Sequence, residues 1–141
     1  MSYLLDTNAL IGLLFCPDIL SEDANRIMQE SDALAVSIAS LWELGIKQST
    51  GKIDIDASAE DISDACRGLD VNILSIAPGH IDRMRNLPLI HRDPFDRIII
   101  AQAIIEDMVL ITKDSIINRY VTDMDEVKEL GFCVSVNHRE Y

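Results

Sequence analysis

Aromatic side chains are scarce in this sequence: they make up 5% of it, with a single tryptophan. Because 48% of the residues are hydrophobic all the same, the core must be aliphatic, as in proteins that cover a sheet with helices. Cysteine is scarcer still. Cys16, Cys66 and Cys133 are odd in number, widely spaced, and match no metal-ligand spacing. That excludes a disulfide framework and a thiolate zinc site, and reads as small core residues in a reducing compartment. No apolar run approaches the ~18 residues of a membrane helix, and no basic segment with an apolar stretch and cleavage site opens the chain. The expectation is a soluble, cytoplasmic protein with no membrane partner.

Positive charge is also lacking, with 12 bases against 24 acids and a net charge of −12. This argues against a generic polyanion binder, whose affinity depends on neutralising phosphates. A nucleic-acid enzyme stays open, since metals or a partner protein can supply positive charge locally. Internal repeats, low-complexity segments and linkers are absent, so the 141 residues are expected to form one domain, 1–141.

What is present is organised around Tyr3-Leu4-Leu5-Asp6-Thr7-Asn8-Ala9-Leu10. A short apolar strand runs into a carboxylate, and the chain then turns helical. Further strands are expected at 33–37, 71–76, 108–112 and 131–136. Helices are expected between them: after Ser21 to about Glu30, from Ile38 to about Thr50, and from a capping-box variant at Ser58-Ala59-Glu60-Asp61 to about Leu69. A short helical segment follows Pro78-Gly79. Asp93 as cap and Pro94 at the first position open the strongest helix, to about Asp107. After Asp114 come a short helical turn, an acidic stretch at 123–129 and, beyond the last strand, a polar tail at 137–141. Strands alternating with helices imply a parallel sheet covered on both sides. The fold class is α/β, an α/β/α sandwich with a central, mainly parallel sheet of about five strands.

In such sheets ligands gather outside the carboxyl ends of the strands. Asp6, Glu43, Asp96 and Asp114 all have positions compatible with that crevice. Each also has a purely structural role open to it. Asp6 can cap the first helix, Glu43 can pair with Lys47 four residues on, Asp96 can be the acid of a capping box, and Asp114 can cap the helical turn after it. One shared cause is more economical than four separate ones. Two unit charges ~4 Å apart repel by about 4 kcal/mol at an effective dielectric near 20. Such a group takes up protons or binds a hard cation, and Mg²⁺ or Mn²⁺ suits an all-oxygen site. A site of that kind can hold a phosphodiester, acidify a water and stabilise a leaving oxygen.

Four motifs carry a resemblance. Leu4-Leu5-Asp6-Thr7-Asn8, Ser40-Leu41-Trp42-Glu43-Leu44-Gly45-Ile46-Lys47 with Gly51-Lys52, His91-Arg92-Asp93-Pro94-Phe95-Asp96-Arg97 with Ala101-Gln102-Ala103, and Ile111-Thr112-Lys113-Asp114 succeed one another from about residue 3 to 115. Together they resemble the PIN-domain ribonucleases, and most of all the VapC-type toxins of bacterial toxin–antitoxin pairs. The resemblance implies that Asp6, Glu43, Asp96 and Asp114 are the metal-binding and catalytic acids, with Thr7, Asn8 and Thr112 as supporting polar groups. Asp93 matches the motif but suits a helix cap better. It further implies an RNA substrate that is single-stranded or looped, a cognate antitoxin and a homodimer. The chain departs from the family pattern after Asp114, where 118–129 is longer and more acidic.

The leading expectation is therefore a Mg²⁺- or Mn²⁺-dependent endoribonuclease. Arg83, Arg85, Arg92, Arg97 and Lys113 are the candidate contacts to the RNA backbone, against ordinary solvated surface as the plain alternative. A phosphoacceptor receiver domain needs an Asp at the end of a middle strand, and the third strand here runs into Ser75-Ile76-Ala77-Pro78. A haloacid-dehalogenase-type phosphatase needs a second Asp where Asn8 stands. A PIN-like module that only binds a partner is the remaining alternative.

Overall fold

The computed structural model of the chain describes residues 2–90 and 92–112. Its strands are β1 (Tyr3–Leu5), β2 (Leu34–Ser37), β3 (Val71–Leu74) and β4 (Val109–Ile111). They form one sheet in the order β3-β2-β1-β4, every pair parallel. The described helices are α1 (Thr7–Leu14), α2 (Glu22–Glu30), α3 (Ile38–Ser49), α4 (Ala59–Gly68), α5 (Pro78–Arg85) and α6 (Pro94–Ile105). This is the α/β architecture with a central parallel sheet that the sequence leads one to expect. The strand expected at 131–136 lies outside the described residues, as do the helical turn after Asp114, the acidic stretch, the tail and Cys133.

Register explains why the strands read as unbroken apolar runs. Leu4 lies beside Ala35 and Leu110, and Leu5 beside Val36 and Ile111. Successive residues point to opposite faces, so each row belongs to its own core. Leu5, Val36 and Ile111 pack with Leu10, Met28, Leu44, Ile62 and Cys66 of α1 to α4. Leu4, Ala35 and Leu110 pack with Leu87 and the Ile98-Ile99-Ile100-Ala101 run of α6. Both faces are covered, and neither has room for a polar row.

Local chemistry sets where the elements begin and stop. The Ser21, Ser37 and Ser58 hydroxyls accept from Ala24, Ala39 and Asp61 N–H, each at 3.0 Å, and Asp61 returns the bond to Ser58 N–H at 3.1 Å. Pro17 starts a 3-10 turn (Pro17–Ile19) that folds Leu20 back onto α1. A Cβ at Gly12 would stand 2.6 Å from Leu20 Cδ2, so this approach requires glycine. Asp70 and Asp107 adopt left-handed φ values of 57° and 54°, turning α4 and α6 sharply into β3 and β4.

The strand order has one consequence for function. The chain steps outward from β1 to β2 to β3, then crosses back to place β4 on the other side of β1. The order reverses between β1 and β4, and in open parallel sheets the crevice at such a point is where ligands bind. Among the described residues, no helix is long and apolar enough to cross a membrane.

Candidate active site

Asp6 leaves β1 at that reversal. Its backbone N–H donates to Ile111 O of β4 at 3.1 Å, and its side chain is 2% exposed. Oδ1 accepts from Ala9 N–H at 2.8 Å, so Asp6 does cap α1. Oδ2 accepts from the Thr112 hydroxyl at 2.6 Å. The cap occupies one oxygen only. A buried carboxylate with its two oxygens separately oriented is more than a cap requires.

Thr7, the first residue of α1, links this end of β1 to α3. Its hydroxyl lies 2.6 Å from Glu43 Oε1 and 3.0 Å from Ser40 Oγ. One hydroxyl carries one proton, and the shorter bond to the carboxylate takes it; the Ser40 hydroxyl is then left to donate to the Thr7 oxygen. Glu43 is 9% exposed, and its Oε2 receives Lys47 Nζ at 3.0 Å. The ion pair expected from spacing is thus present as well, on the outer oxygen. Ser40 is fully buried and stands outside the residue set picked from the sequence. The signal for it was its place one helical turn before Glu43, on the same face of α3.

Asp96 lies in the first turn of α6, which starts at the same edge because its far end delivers the chain to the beginning of β4. Asp93 caps that helix, with Oδ1 accepting from Phe95 N–H at 2.8 Å and Asp96 N–H at 3.2 Å. Asp93 Oδ1 thereby serves the start of the helix, and Asp96 is half-buried in the opening turn. Asn8 is half-buried in the first turn of α1. Asp114 and Lys113 lie outside the described residues, as does His91 of the third motif. Among the described residues, no group of three or more His, Cys, Asp or Glu side chains is assembled as a metal site. The structure links two acids, Asp6 and Glu43, through Thr7 and the chain. Their donors are all oxygen, and a hard divalent ion is the cation that such a set suits.

The bases divide. Arg85 and Arg92 are exposed and Arg83 is half-buried. Arg97, by contrast, is 9% exposed, and its guanidinium donates to Met84 O at 2.9 Å, Pro88 O at 3.0 Å and Leu87 O at 3.3 Å. It ties down the loop between α5 and α6, a use different from the phosphate contact that its place in the motif suggests. Burial pushes the Cys66 thiol above its ordinary value, which suits a core residue rather than a nucleophile. A cleft of about 870 Å³ opens elsewhere, against Leu34 and Val71 at the beginnings of β2 and β3. Its acids, Glu30, Asp32 and Asp70, are exposed, so it lacks the buried, oriented carboxylates of the β1–β4 crevice.

Residues 3–122 match the family model of the PIN domain. No curated protein matches the chain in sequence. Among solved structures, one similar in fold is a toxin-antitoxin complex from Klebsiella pneumoniae, with a TM-score of 0.57 at 20% identity. The match covers 89% of this chain and 94% of that one.

Proposed function

Since the chain belongs to the PIN domain family, whose members are generally nucleases, we propose that it is a Mg²⁺- or Mn²⁺-dependent endoribonuclease, the toxin of a bacterial toxin–antitoxin pair. The observation that carries this reading is the pair of buried carboxylates, Asp6 and Glu43, oriented by threonine hydroxyls where the sheet order reverses. Asp6, Glu43, Asp96 and Asp114 hold the ion. When bound, it would lower the pKa of a water and stabilise charge on the phosphodiester oxygens. The chain's own groups prepare for that. Thr112 and Ala9 N–H fix the two oxygens of Asp6, Thr7 fixes Glu43, and Ser40 fixes Thr7. Lys47 balances one charge of the acid set until a cation replaces it. Arg83, Arg85, Arg92 and Lys113 meet the RNA backbone around the crevice.

The similar fold of a protein from a toxin-antitoxin complex supports a cognate antitoxin as partner; that the toxin is a cytoplasmic homodimer belongs to the proposal alone. The test is cleavage of a panel of short fluorogenic RNAs by wild type, Asp6→Asn and Asp96→Asn, each with Mg²⁺, Mn²⁺ and chelator. Cutting that needs the metal and is lost in both variants supports the reading. Equal cutting by all three proteins would sink it.

A further inference from the structure

An aromatic ring precedes each of two candidate acids in the chain: Trp42 before Glu43 on α3, and Phe95 before Asp96 on α6. The rings meet with centroids 5.1 Å apart and planes at 85°. This edge-on contact braces the indole without covering it, and Trp42 remains 63% exposed among the described residues. A large exposed aromatic, next in the chain to one candidate acid and braced by the ring next to another, is arranged for a flat ligand.

Charge narrows what that ligand is. An RNA approaching a chain of net charge −12 gains little from long-range attraction. Much of its affinity must come from contacts that neutralise nothing. Stacking of an unpaired base on an aromatic ring is such a contact, worth about 1–3 kcal/mol per base and tolerant of sequence. Bases in a duplex are already stacked on one another and cannot use the ring. Resting on the ribonuclease reading above, we propose that Trp42 is the platform on which an unpaired nucleobase next to the scissile phosphodiester stacks, with Phe95 as its brace. Ile38 and Ile46, also exposed, flank Trp42 at four-residue spacing on α3 and offer a rival occupant, a second copy of this chain.

Trp42 is the sole tryptophan, so intrinsic fluorescence reports on it alone. The experiment uses the full chain carrying Asp6→Asn to prevent cleavage, with wild-type Trp42, Trp42→Leu or Trp42→Phe. A labelled single-stranded 12-nucleotide RNA is titrated by anisotropy, and the unlabelled strand by tryptophan fluorescence; the same strand annealed to its complement is the control. Expected are quenching of Trp42 by the single strand, affinity about 5- to 150-fold weaker for Trp42→Leu, and substantial recovery in Trp42→Phe. Little discrimination among the three proteins is expected for the duplex. Binding of equal strength to all three without quenching overturns the stacking role and leaves the nuclease reading in place. Equal RNA affinity with a dimer-to-monomer shift in sedimentation of Trp42→Leu assigns the ring to a second copy instead. Absence of binding by any strand overturns the nuclease reading, and the stacking role with it.

Discussion

The Thr112 hydroxyl donates to Asp6 Oδ2 over 2.6 Å, joining the last described residue to the end of the first strand. Thr112 is 1% exposed, and the strands on which the two residues ride are hydrogen-bonded neighbours. The bond is therefore delivered by the sheet itself and holds the carboxylate at a fixed angle over the crevice.

Thr112→Val removes that donor while keeping the shape. Stability should fall by about 1.5–3 kcal/mol, the range for a hydrogen bond to a charged group. RNA cleavage should fall roughly 10- to 100-fold, as for other residues that orient a metal ligand. Urea unfolding beside a cleavage assay reads both, and Thr112→Ser should restore both.

Asp6 has two uses that a pair of substitutions separates. Asn caps a helix as well as Asp does, so Asp6→Asn should keep the cap and lose only the charged bond to Thr112, about 1.5–3 kcal/mol of unfolding free energy. Cleavage should nevertheless be abolished. Asp6→Ala should lose cleavage, the bond to Thr112 and the cap, and so be less stable than Asp6→Asn by about a further 1 kcal/mol. If Asp6→Asn unfolds as readily as Asp6→Ala, the cap assignment is wrong.

Lys47 holds the outer oxygen of Glu43 from a side chain that is 38% exposed, and on the proposed reading it would compete there with a cation. Exposed pairs are worth about 0.2–1 kcal/mol. Lys47→Met should accordingly tighten Mn²⁺ binding by roughly two- to fivefold in isothermal titration calorimetry. Weaker binding in this variant would mean that Lys47 supports the site rather than shielding it.

Arg97 and Arg92 should behave oppositely although they are five residues apart. Arg97→Met removes the guanidinium shared by the carbonyls of Met84, Leu87 and Pro88, leaving Met84 and Pro88 only the Leu87 and Ile90 N–H donors, and should lower stability by about 2–3 kcal/mol in thermal or urea unfolding. Arg97→Lys should not rescue it, because an ammonium lacks the planar fork. Arg92→Ala should leave stability unchanged and weaken RNA binding, most clearly at low salt.

Much of this arrangement was legible in the residues. Leu4-Leu5-Asp6 announced a buried strand ending in an acid, Ser58 to Asp61 a capping box, and Asp93-Pro94 a helix start, because each depends on chemistry confined to a few neighbours. Glu43 and Lys47 could be paired by counting four residues. The use of Arg97 could not be read, since its carbonyl partners lie nine to thirteen residues back in a loop whose path no local rule dictates. Ser40 could be placed on the Glu43 face of α3 but its role could not be read, because its hydroxyl matters only where Thr7, from another helix, stands against it. The Trp42–Phe95 contact likewise arises from packing of α3 on α6, far apart in sequence.

The pairing of β1 with β4 also sets a clock. The strand that holds the Asp6 backbone and the hydroxyl that holds its side chain are made more than a hundred residues after Asp6 itself. Contacts of such long sequence separation form slowly and late in folding. A chain still on the ribosome, complete through α6, carries Asp6, Glu43 and Asp96 without the strand that aligns the first of them. The crevice is thus finished only once β4 has been made, and a chain stopped before it is spared a finished site.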